Sequence, residues 1–142
     1  MRLYVHNENF VDDLYAILDK YGIPHNMLEI EITETIVIEK TEKVKIHLED
    51  LKNKGFIISI DDFGYGYSSL GILSQLHIDV IKLDRTFINN ALKSREDNAI
   101  LLGVINIVHS LGKCLVCEGV EEKSQISLLK SYDCNIIQGY YY

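Results

Sequence analysis

The sequence predicts an α/β chain in which strands alternate with helices on a parallel sheet. Five short segments rich in Ile, Val and Leu, at residues 28–33, 56–61, 80–84, 114–118 and 135–138, have the length and composition of buried strands. Stretches with helical spacing of apolar residues lie between them, and such alternation means βαβ units with parallel pairing. A third observation separates the two architectures these units build. Each of the five segments runs into charged or amide residues. A doubly wound open sheet gathers its function at one switch point. A TIM-like (β/α)8 barrel rings its mouth with the C-terminal ends of all its strands. Polar groups at successive strand ends favour the barrel, here a partial one of about five strands.

The helices follow in order. Residues 9–21 place Phe10, Leu14, Ile17 and Leu18 on one face and stop at Gly22. Residues 41–54 do the same with Val44, Leu48 and Leu51 before Gly55, and residues 98–111 with Ile100, Leu101, Val104, Ile105 and Val108 before Gly112. Residues 121–131 repeat the pattern.

Strand side chains alternate between faces. One set of faces carries Glu29, Glu31 and Thr33; Ser59 and Asp61; Val80, Lys82 and Asp84; Cys114, Val116 and Glu118; Ile136 and Gln138. The opposite set reads Ile30 and Ile32; Phe56, Ile58 and Ile60; Ile81 and Leu83; Leu115 and Cys117. The apolar set suits a layer of covering helices, so the polar set points into the barrel. Inward carboxylates are costly unless paired or metal-bound. Any one of them, taken alone, reads most simply as a solvated edge or an ion pair, with Lys82 neutralising Asp84 or Glu118. Packing does not explain the whole ring.

The net charge of −7 argues against a broad polyanion-binding surface, so DNA is not an expected partner. A small anionic ligand remains compatible if a cation reverses the local sign. The three cysteines are an odd number in a short chain, which disfavours a disulfide framework. No apolar run approaches the roughly 20 residues of a membrane span and residues 1–6 hold no signal-peptide core, so a cytoplasmic setting is expected.

The densest feature is Asp61-Asp62-Phe63-Gly64-Tyr65-Gly66-Tyr67-Ser68-Ser69-Leu70. Adjacent aspartates diverge, so they can serve two cations, or one cation and a water. The glycines permit positive φ, and Ser68 or Ser69 is placed to cap a following helix. No Walker lysine follows, so a phosphate cradle is weakly supported. Cys114-x-x-Cys117 has half the spacing of a zinc site, but on a strand its side chains face opposite ways and no second pair exists.

These residues resemble one family closely. Glu31-Ile32-Thr33-Glu34, DDFGYGYSSL at residues 61–70, IKLDRTFI at 81–88, EGVE at 118–121 and QGYYY at 138–142 stand in the order and spacing of EAL-domain cyclic-di-GMP phosphodiesterases. The resemblance implies a modified TIM barrel that hydrolyses cyclic-di-GMP to linear pGpG with Mg2+ or Mn2+. It implies Glu31, Asp61 and Asp62 as metal ligands and Lys82 as the holder of the attacking water or the phosphate. Glu118 would be general base or additional ligand. Glu121, Gln138 and Asp84 would support the water or second metal, and Glu34 would anchor the Asp61-Asp62 loop. Homodimers and fusion to sensor or diguanylate cyclase domains are also implied.

Several departures shape the expectation. A full barrel runs to roughly 250 residues, so residues 1–142 read as a partial domain with roughly 100 absent before Met1. The absent part would hold the Glu-Ala-Leu motif and an Asn-x-Ser motif, each supplying a ligand, and hydrolysis by this chain alone is expected to be weak. Tyr65 stands where the family usually has Thr. Two rivals remain: a non-catalytic module that binds cyclic-di-GMP or a protein, and a barrel aldolase using Lys82 as a Schiff base.

Overall fold

The computed structural model describes residues 10–38, 42–64, 73 and 76–141. The helix start expected at Asn9, Tyr65 and the serines Ser68 and Ser69 lie outside them. Helix α1 (Phe10–Tyr21) and a 3-10 turn (His25–Met27) lead into β1 (Glu29–Thr33), α2 (Glu34–Ile38) and α3 (Glu42–Asn53). Then come β2 (Ile57–Phe63), β3 (Val80–Leu83), α4 (Arg85–Ala91), α5 (Arg95–Ser110), β4 (Cys114–Cys117), α6 (Lys123–Ser131) and β5 (Ile136–Ile137).

The strands form one sheet in sequential order, β1-β2-β3-β4-β5. Every pairing is parallel. Right-handed crossovers between sequential parallel neighbours put all the helices on one face, which is the barrel arrangement rather than the doubly wound one. The expected apolar face covers that layer. Ile30, Ile32, Ile58, Ile60, Ile81, Leu83, Leu115 and Cys117 are all buried, packed with Val44, Leu48, Leu51, Leu101, Ile105, Val108, Ile126 and Leu129 of the helices.

Some boundaries and faces differ from expectation. Helix α5 starts at Arg95 rather than residue 98, because Ser94 caps it: the Asp97 amide donates to Ser94 Oγ at 2.9 Å. Ile17 and Ile100 are exposed rather than core, since the seven-residue repeat of α1 and α5 buries only a narrow stripe (Val11 and Leu18; Leu101, Val104, Ile105 and Val108). The short helices α2 and α4 add to the helices expected from the sequence. Strand β2 continues through Asp61-Asp62 to Phe63. Among the described residues no helix is long and apolar enough to cross a membrane.

The N-terminal edge of the sheet is bolted by Asp79, just before β3. Lys52 Nζ lies 2.7 Å from both of its carboxylate oxygens, and the Ile58 amide donates to one of them at 2.9 Å. The Asp79 amide in turn donates to Ile58 O at 2.9 Å. This bracket joins α3, β2 and β3. Asp79→Ala leaves a backbone amide and an ammonium without their partner, and is expected to lower stability by about 1–3 kcal/mol. Urea denaturation reads this as a lower midpoint, and an unchanged midpoint would contradict it.

Candidate functional site

The site grows from the register of the sheet. Glu31 stands opposite Ser59, and Ser59 opposite Val80; Thr33 stands opposite Asp61. Lys82 on β3 lies two residues beyond Val80 and so faces the same side. Strands lie about 4.8 Å apart, so β1 and β3 are separated by about 10 Å. A lysine and a glutamate span that gap, and the β2 residue opposite Glu31 is the small, buried Ser59.

Lys82 Nζ hydrogen-bonds Glu31 Oε1. It also lies 3.5 Å from Glu118 and 3.6 Å from Glu29. Its side chain is only 12% exposed, so these interactions work in a partly desolvated setting. Desolvation alone would lower the Lys82 pKa. The hydrogen bond and charge of Glu31, with the charges of Glu118 and Glu29, outweigh it and hold the ammonium above its ordinary value. A Schiff-base lysine needs the opposite shift, so the aldolase reading fails here. The bond to Lys82 holds Glu31 below its ordinary value. Burial, and next the charge of Asp61, push Glu118 above its own. Asp61 therefore belongs to the same electrostatic cluster.

The paired aspartates sit on a bulge. Ile60 faces Ile81 and Phe63 faces Leu83, so two residues of β2 stand against Lys82 alone. Asp62 takes φ 54°, and its amide donates to Asp61 Oδ1 at 3.0 Å. The extra residue keeps Asp61 on the polar face while Phe63 returns to the core, which is how neighbouring carboxylates come to diverge. Beyond the bulge, Glu34 at the start of α2 accepts the Gly64 amide at 2.9 Å through Oε2. Its other oxygen is buried with no hydrogen-bond partner among the described residues. Gly64 has φ 96°, and a Cβ there would lie 2.4 Å from the Phe87 ring of α4. Only glycine lets the loop rest on that helix.

The remaining predicted residues spread along the rim. Asp84 caps α4, accepting the Thr86 amide at 2.7 Å, rather than pairing with Lys82. Glu121 lies 3.6 Å from Arg85. Gln138 is exposed just past β5, where its amide donates to Cys117 O at 2.9 Å. The sequence reading missed Gln125. This buried residue accepts the amides of Glu121 and Glu122 at 2.7 and 2.8 Å and donates to Asn89 at 2.7 Å. Its signal was the Glu122-x-x-Gln125 spacing of a capping box. Glu29 shared a face with Glu31 but was not taken as a site residue. Cys114 and Cys117 do face opposite ways, and Cys117 meets Cys134 instead.

The donor set suits a hard divalent cation. Carboxylate oxygens are the ligands that Mg2+, Mn2+ and Ca2+ take; Glu29, Glu31 and Glu118 face one ammonium, and Asp61 acts on Glu118. Among the described residues no three such side chains are gathered closely enough to enclose an ion by themselves. Glu31 is instead engaged by Lys82.

A family model for the EAL domain matches residues 3–142. The chain is 36% identical over 132 residues to the cyclic di-GMP phosphodiesterase NbdA of Pseudomonas aeruginosa, covering 93% of this chain and 17% of that protein. It superposes on the manganese and cyclic-di-GMP complex of Klebsiella pneumoniae BlrP1 with a TM-score of 0.91 at 31% identity, over 99% of this chain and 37% of that one. The calcium complex of BlrP1 gives 0.90 at 32% identity, over 97% and 35%. The partial-barrel architecture agrees with these superpositions, and the chain belongs to the EAL domain family.

Proposed function

We propose that this domain hydrolyses one phosphodiester of cyclic-di-GMP to linear pGpG with Mg2+ or Mn2+. The observation that carries the reading is Lys82 held among Glu29, Glu31 and Glu118 on the polar face of the sheet of an EAL domain. NbdA is named for this activity, and the BlrP1 complexes pair cyclic-di-GMP with a divalent ion. Both support carrying the chemistry over.

Glu31 and Asp61 would hold one cation and Asp62 a second. When bound, such ions polarise phosphoryl oxygens and lower the pKa of a nearby water. Lys82 stays protonated, orients the attacking water or the phosphate, and offsets the negative charge that builds during displacement. Glu118 takes the proton of the water, or adds a ligand. Glu121, Gln138 and Asp84 support the water or the second cation, and Glu34 fixes the loop that carries both aspartates.

The chain spans 17% of the length of NbdA. The wider reading is a partial domain within a cytoplasmic protein bearing sensor or diguanylate cyclase domains. A homodimer belongs to it too, supported by Ile100 and Ile107, which leave apolar surface exposed along α5.

A protein carrying this domain is expected to convert cyclic-di-GMP to pGpG only with added Mg2+ or Mn2+, and to stop on chelation. Glu118→Gln should lower kcat by about 100-fold or more while substrate binding persists. Chromatography of the nucleotides reads both results, and wild-type binding without turnover would make the domain a receptor. Glu34→Ala frees the Gly64 amide and should weaken Mn2+ affinity by about 10–100-fold. Unchanged affinity in a Mn2+ titration would remove the anchoring role.

A further inference from the structure

Cys117 and Cys134 lie away from the polar face and take no part in the chemistry above. Cys117 ends β4 on the apolar side, and Cys134 follows α6 two residues before β5. Both are buried, at 0% and 2% exposure, with their sulfurs 2.9 Å apart. A disulfide holds its sulfurs at about 2.05 Å, so less than about 1 Å of closure separates this pair from a bond. The backbone on either side is pinned. The Cys134 amide donates to Leu129 O at 3.0 Å, the Gln138 amide to Cys117 O at 2.9 Å, and Cys117 stands in register with Ile137. The third thiol, Cys114, faces the other side of β4 and is not a competitor in the folded chain.

We infer that Cys117 and Cys134 are a modification site, a buried dithiol that a peroxide closes to an intramolecular disulfide joining β4 to the entry of β5. In the reaction both S–H bonds and the O–O bond of hydrogen peroxide break, and one S–S bond forms. The sulfurs give up two electrons, and the peroxide departs as two waters. A reducing compartment returns the pair to thiols, so the bond is a transient state there. The residues that follow the two strands are Glu118 and Gln138, so the staple ties together two sides of the candidate site. The inference stands on the sulfur geometry and does not require the proposed hydrolysis.

The test oxidises the chain with hydrogen peroxide under native conditions, alkylates the remaining thiols with iodoacetamide in urea, and maps the peptides by mass spectrometry. The expected product is alkylated at Cys114 alone and joins Cys117 to Cys134. It melts at a higher temperature than the reduced chain, because the closed loop restricts the unfolded state, and dithiothreitol reverses the shift. Cys114→Ser should keep the link and Cys134→Ser should lose it. The same oxidation begun in urea should let Cys114 compete for Cys117. Three alkylated thiols after native oxidation, a link through Cys114, or oxidation of one sulfur without an S–S bond would each overturn the inference.

Discussion

One ammonium makes the polar face of this sheet tenable. Carboxylates crowded on one partly covered face repel one another and lose part of their solvation, and a counter-charge offsets both. Lys82 supplies that charge to Glu29, Glu31 and Glu118 from the middle strand of the sheet. Its reach to β1 crosses β2, where the small, buried Ser59 stands opposite Glu31. The arrangement still carries more negative than positive charge once Asp61 is included, and a binding site for a divalent cation beside an anionic ligand needs that excess. The fold itself rests on the other face, where branched aliphatic side chains meet the helices. The two faces divide the work, so site residues can vary in charge without emptying the core.

One short helix braces the sheet ends around the candidate site. Helix α4 begins at the Asp84 cap and presents three consecutive holds. Phe87 packs against Gly64, just past the aspartates. Arg85 packs against Gly119, where a Cβ would come within 2.6 Å of its own Cβ, and faces Glu121. Asn89 accepts from Gln125, which holds the amides of Glu121 and Glu122. Gly64 after β2 and the turn after β4 are thereby set against the same rigid element, and Asp61 lies close enough for its charge to raise the Glu118 pKa. Shared support of this kind holds side chains in place better than separate loops would.

Much of this was legible in the residues. Period-two alternation divided Glu31, Ser59, Asp61 and Lys82 from Ile30, Ile58, Ile60 and Ile81, and the fold preserved that division because a one-residue slip would exchange the faces. What stayed hidden depended on register or on distance in the chain. Lys82 has Asp84 two residues away, yet it bonds Glu31 fifty-one residues away. Asp84 is drawn into the first turn of α4, where its side chain satisfies an amide that would otherwise lack a partner. The bulge at Asp61-Asp62 shows only as a mismatch between β2 and β3, which no single strand reveals. Cys117 and Cys134 are seventeen residues apart and meet only because β4 and β5 are neighbours. Helices α2 and α4 are too short for periodicity to signal, whereas the longer α3 and α5 announced themselves.

The central claim is that the face organised by Lys82 receives cyclic-di-GMP together with a divalent cation. Calorimetric titration of cyclic-di-GMP into the domain, with and without Mn2+, addresses it most directly when wild type and Lys82→Met are compared. The account predicts binding that strengthens when the ion is present and falls when the ammonium is removed. Binding that ignores both the ion and the substitution would place the nucleotide elsewhere and contradict the account.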